Sequence, residues 1–145
     1  MINARNITIK NVELTSAKIH NNLNIIFISD VHLGTNTTKH LKKILNKIKT
    51  LKYDLIIIGG DLIDSSSFNI NDLTILNEIK KDIYFVNGNH EYYLKNYKNK
   101  MSQLKNFNIR ILKNTSKEID QINLIGIDDM EPKNSKIKYV TKLKK

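Results

Sequence analysis

Runs of uninterrupted apolar residues punctuate the chain at Ile25-Ile26-Phe27-Ile28, Leu55-Ile56-Ile57-Ile58 and Ile83-Tyr84-Phe85-Val86. Each is too short for a helix and stops at polar residues or glycine, so each predicts a strand buried on both faces. Between the first two, Leu41, Ile44, Leu45 and Ile48 recur at helical spacing, with Lys42, Lys43, Lys47 and Lys49 filling the wet face. Asn71-Asp72 is suited to cap a helix carrying Leu73, Leu76 and Ile79. A further helix is predicted from about Glu91 to Leu104, and strands over Ile109 to Leu112 and Ile122 to Ile125, the latter stopped by Gly126. Upstream, Ile7, Ile9, Val12 and Leu14 alternate with mostly polar residues and predict a half-buried strand near a sheet edge. Residues 130–145 are basic and weakly patterned, and read as a tail or a truncated element. Strands alternating with helices predict βαβ units, an α/β fold with a mostly parallel sheet, and one domain over residues 1–145.

The 145 residues carry a net charge of +10. That charge suits a phosphate-rich partner or an anionic membrane surface. The lysines, however, are scattered, with no arginine cluster and little aromatic interleaving, so nucleic acid is not the expected partner. With no cysteine in the chain, a metal would have to be held by oxygen and imidazole ligands. No apolar run approaches the roughly 20 residues of a membrane span. The opening residues lack the apolar region of a secretory signal. The expected location is cytoplasmic, free or peripheral to a membrane.

The three strongest strands end in chemistry. They run into Ser29-Asp30-Val31-His32-Leu33-Gly34, Gly59-Gly60-Asp61-Leu62-Ile63-Asp64 and Asn87-Gly88-Asn89-His90-Glu91. Ligands of open parallel sheets bind at the carboxyl ends of the strands, and right-handed crossovers bring consecutive ends to one edge. Asp30, His32, Asp61, Asn89 and His90 should therefore converge. Two carboxylates, two imidazoles and an amide form a nitrogen and oxygen set suited to Mn, Fe, Zn or Mg. Asp30 and His32, two apart in an extended segment, would point to one side and grip one ion. Any one strand end alone is an ordinary turn; three in register are hard to explain that way.

In this order Asp30-x-His32, Gly60-Asp61-x-x-Asp64 and Gly88-Asn89-His90-Glu91 resemble the signature of the calcineurin-like metallophosphoesterases, over about Leu23 to Asp129. Ile125-Gly126-Ile127-Asp128-Asp129 also resembles a strand end of one bacterial branch that includes membrane-associated phosphodiesterases, some acting on lipid headgroups. The resemblance implies a layered α/β/β/α sandwich and hydrolysis of phosphate mono- or diesters by two divalent metal ions. Asp30 and His32 would ligate the first ion, Asp61 would bridge both, and Asn89 would ligate the second. His90 would act beside the phosphate as the catalytic residue. Asp64 and Glu91 would orient the imidazoles.

The family pattern continues with a histidine after a further strand and a Gly-His-x-His loop, but no histidine follows His90; the others, His20 before the first strand and His40 at the start of the first helix, lie upstream of it. The expectation is a fold whose C-terminal part is missing, as a truncated or split enzyme completed by a partner chain. The alternative is a non-catalytic remnant serving as a protein-interaction module.

Overall fold

Four strands lie side by side in parallel, in the order of the chain: β1 (Ile25–Ile28), β2 (Leu55–Ile58), β3 (Ile83–Phe85) and β4 (Ile109–Ile111). The computed structural model describes residues 7–129. Ile28 stands opposite Ile58, Ile58 opposite Phe85, and Phe85 opposite Ile111. The strands thus finish level, and the loops that follow them leave from one edge of the sheet.

Alternation along the strands divides two apolar layers. Ile56, Ile58, Ile83, Phe85 and Ile109 face α1 (Thr38–Ile48), a 3-10 helix over Ile70–Glu78, and α3 (Tyr97–Leu104). Leu55, Tyr84 and Leu112 face the other way, onto Ile119, Ile122 and Leu124 of an antiparallel hairpin, β5 (Thr115–Ile119) and β6 (Ile122–Gly126). The helical side is the larger core, with Leu33, Leu62, Ile63, Leu73 and Leu104 wholly buried. Each such side chain contributes roughly 1.5–3 kcal/mol.

Several elements depart from the sequence expectation. Residues 7–14 form no strand; Val12 is 68% and Leu14 89% exposed, so their alternation meets no sheet. Among the described residues β1 is an edge strand rather than one buried on both faces: it pairs there only with β2, and Phe27 is 66% exposed. The segment around Leu73 is a 3-10 helix capped by Asn69, whose side chain accepts from the Asn71 amide, not by Asn71-Asp72. Its buried residues Ile70, Leu73, Leu76 and Ile79 recur every third position, the period of a 3-10 helix. The helix expected from Glu91 to Leu104 is two, α2 (Asn89–Tyr92) and α3, separated at Asn96 in a left-handed conformation. β5 was not foreseen, because Thr115-Ser116-Lys117-Glu118 is exposed and polar. The basic stretch 130–145 lies outside the described residues.

Candidate metal centre

The loop after β1 and the loop after β2 are zipped together beyond the strand ends. The amides of Asp30, His32 and Leu33 donate to the carbonyls of Gly60, Asp61 and Leu62 at 3.2, 2.9 and 2.8 Å. The Asp64 amide returns a bond to the Leu33 carbonyl at 3.1 Å. This zipper holds three residues in the left-handed region: Asp30, His32 and Asp61 have φ of 57°, 51° and 53°. Each such residue costs of order 1–3 kcal/mol and persists only where its surroundings enforce it. The extended Asp30–His32 segment expected from sequence is therefore replaced by an irregular one with both residues left-handed, which still brings the two side chains together.

The loop after β3 meets the loop after β2 at two glycines. Gly60 has φ of +97°, and a Cβ there would stand 2.8 Å from the Gly88 nitrogen. Asp61 Oδ1 accepts the His90 amide at 3.1 Å. Glu91 is wholly buried. Its Oε1 accepts the Ile63 amide at 2.9 Å, and its Oε2 accepts the amides of Asp61 at 3.0 Å and Gly88 at 2.8 Å. Burial pushes the Glu91 carboxyl above the ordinary glutamate range, the neighbouring Asp61 adds to this, and the three amides oppose it. Glu91 was expected to orient an imidazole; its carboxylate instead gathers backbone amides from both loops.

Asp30, His32 and Asp61 can each offer one ligand atom such that all lie within 4.8 Å of one another, and so can His32, Asp64 and His90. His32 belongs to both groups: its Nε2 lies 3.7 Å from Asp30 Oδ1, and its Nδ1 lies 3.3 Å from Asp64 Oδ2. The rings of His32 and His90 meet edge to face with centroids 4.7 Å apart. Asp64 also accepts the Thr35 amide at 2.9 Å. Burial works to raise the Asp64 carboxyl, but the hydrogen bonds from Thr35 and the nearby His32 and His90 hold it below the ordinary aspartate value. Thr35 drew no attention in the sequence, since a threonine in a turn is commonplace. Asn89 begins α2, exposed, beside His90.

These residues fit a divalent ion. Oxygen and nitrogen ligands about 2.1 Å from an ion sit up to about 4.2 Å apart, so the Asp30, His32 and Asp61 group needs little closure. With Nδ1 3.3 Å from Asp64 Oδ2, His32 has Nε2 on the Asp30 side, available to an ion.

Residues 23–143 match the family model of the calcineurin-like phosphoesterases. An uncharacterized metallophosphoesterase of Campylobacter jejuni is 30% identical over 84% of this chain and 34% of its own length. A counterpart of Helicobacter pylori is 32% identical over 83% of this chain and 34% of its own length. A bovine transmembrane protein with metallophosphoesterase domain is 32% identical over 77% of this chain and 28% of its own length. The chain thus spans about a third of the length of these relatives. No solved structure matches it. Among the described residues no helix is long and apolar enough to cross a membrane. With the family's motifs gathered on one rim and the match covering most of its residues, this chain belongs to the calcineurin-like phosphoesterases, a family of metal-dependent hydrolases.

Proposed function

We propose that the rim binds two divalent ions, Mn, Fe, Zn or Mg, and serves the hydrolysis of phosphate mono- or diesters. Asp30, His32 and Asp61 would hold one ion, and Asp61 and Asn89 would hold the other. The observation that carries this reading is the coincidence of three left-handed residues, Asp30, His32 and Asp61, with one cluster of ligand atoms. Strain of that kind gathers at functional sites.

When bound, the ions would supply positive charge against the phosphoryl oxygens and a water acidic enough to attack phosphorus. The rest is done by the chain. Asp64 Oδ2 lies 3.3 Å from His32 Nδ1, so its negative charge favours a proton on that nitrogen and draws the ring toward Asp64. The His90 amide is tied to Asp61, and its ring lies against His32, which sets the imidazole beside the cluster. There it would hydrogen-bond a phosphoryl oxygen or hand a proton to the leaving oxygen. Glu91 keeps the Asp61 and Gly88 loops in one position, so ligands from two loops stay in register.

Asp61 and Asn89 are few ligands for a second ion. Water, or protein beyond this chain, completes that set. A second reading, a non-catalytic module that docks on another protein segment, draws on the exposed Ile25 and Phe27 of β1.

Titration calorimetry with Mn2+, together with hydrolysis of bis(p-nitrophenyl) phosphate, separates the two. The metal centre predicts Mn2+ binding that weakens at least about tenfold in Asp61→Ala, with any hydrolysis abolished. Equal affinity or equal turnover in the variant contradicts it, and a folded chain that binds no Mn2+ favours the module.

A further inference from the structure

Asp128 lies two residues past β6, and its side chain is only 3% exposed. A carboxylate buried to that extent requires partners. Asn87 Nδ2 donates to its Oδ1 at 2.9 Å, the Tyr92 hydroxyl donates to Oδ2, and Lys113 Nζ stands 3.2 Å from Oδ2. The partners are themselves linked. Asn87 Nδ2 reaches the Tyr97 hydroxyl at 2.9 Å. Lys113 Nζ lies 3.1 Å from the Tyr92 hydroxyl and 5.1 Å from the centre of that ring. The Asp128 amide donates to Asn114 Oδ1 at 3.0 Å, which ties the residue after β6 to the loop after β4.

Asn87 and Tyr92 stand on either side of Gly88–Glu91, the segment that carries Asn89 and His90. One buried carboxylate therefore grips the segment at both ends. Burial, and then the bond to Asp128, keep the Tyr92 phenol far above its ordinary value of 10.0, so its hydroxyl stays a donor. Such clusters are costly to bury.

We infer that Asp128 is a positioning residue for the candidate metal centre: by holding Asn87 and Tyr92 it fixes where Asn89 and His90 present their side chains. The consequence for metal rests on the function proposed above; the grip on the segment does not. Asp128→Asn removes the charge at unchanged size. In the metal-free chain, amide hydrogen exchange at Gly88 and His90 is expected to speed up at least about tenfold, while the β2 and β3 amides keep their rates relative to the variant's overall stability. Mn2+ affinity is expected to fall about tenfold. Exchange that is unchanged at Gly88 and His90, or accelerated equally across the sheet, overturns the inference. If Asp128→Asn does not fold, Tyr92→Phe carries the test: it keeps the ring, removes one donor, and is expected to speed the same two amides. Wild-type chain that binds no Mn2+ refutes the metal reading, while the exchange data still judge the positioning.

Discussion

Replacing Glu91 by glutamine is the sharpest probe of how the rim is assembled. The side chain keeps its size, so no cavity opens, and the effect isolates the carboxylate. Three backbone amides now share its two oxygens: Ile63 on Oε1, and Asp61 and Gly88 on Oε2. Glutamine has one acceptor oxygen. Kept on the Asp61 and Gly88 side, it leaves its NH2 facing the Ile63 N–H, donor against donor, at a buried position. An unsatisfied buried amide costs about 1–3 kcal/mol, and exchanging a charged for a neutral acceptor weakens the other two bonds by about 1 kcal/mol each. The gross loss is about 3–5 kcal/mol. Relief from burying a charge, the same burial that pushes the Glu91 carboxyl upward, returns part of it, leaving about 2–3 kcal/mol. Against a typical domain stability of about 5–15 kcal/mol, and a urea slope of about 1–3 kcal/mol per molar, the unfolding midpoint should fall by about 1–2 M. Urea titration followed by circular dichroism reads this directly. A midpoint within about 0.3 M of wild type would refute the argument that Glu91 knits the two loops.

Two further variants test neighbouring parts of the same argument. In the metal-free chain, the Asp64 carboxyl is held below the ordinary aspartate value of 3.8, so its stabilising contribution is full only well above pH 3.8 and is lost as pH falls through the lower folded value. The gap in urea midpoint between wild type and Asp64→Asn should therefore narrow between about pH 5 and pH 2; a gap that stays constant or widens would show that the carboxylate is not held by Thr35 and the imidazoles. Gly60→Ala would place a Cβ 2.8 Å from the Gly88 nitrogen at a φ of +97°; strain of about 1–3 kcal/mol should lower the thermal midpoint by several degrees, and an unaltered midpoint would deny the close approach of the two loops.

What the sequence disclosed followed from how strongly each segment is constrained. The strands β2 and β3 are continuous apolar runs flanked by turn residues, β4 is a short Ile109-Arg110-Ile111 segment, and the parallel sheet with its shared rim follows from them. β1 reads the same way in sequence yet lies at an edge among the described residues, because an apolar run records hydrophobicity and not which strands pair with it. The alternation at Ile7 to Leu14 misleads for the same reason. The period of three in Ile70, Leu73, Leu76 and Ile79 was legible but falls within the scatter of α-helical spacing. At the rim, residue types were readable and conformations were not. Asp30, His32 and Asp61 owe their left-handed backbones to bonds between loops about 30 residues apart in sequence, a non-local effect that local pattern cannot encode. Glu91 followed His90 in a recognisable motif, but only the fold shows its carboxylate turned inward onto amides. Asp128 stood in a stretch with a family resemblance and no role; its partners Asn87, Tyr92 and Lys113 become neighbours only when the hairpin folds onto the sheet.

The central claim is that Asp30, His32 and Asp61 clasp a divalent ion. Crystals of the chain soaked in Mn2+, with diffraction recorded for anomalous scattering, test it most directly. An anomalous peak about 2.1–2.2 Å from His32 Nε2 and from carboxylate oxygens of Asp30 and Asp61 is the expected result. Strong manganese peaks elsewhere on the protein with none between these three side chains would contradict it.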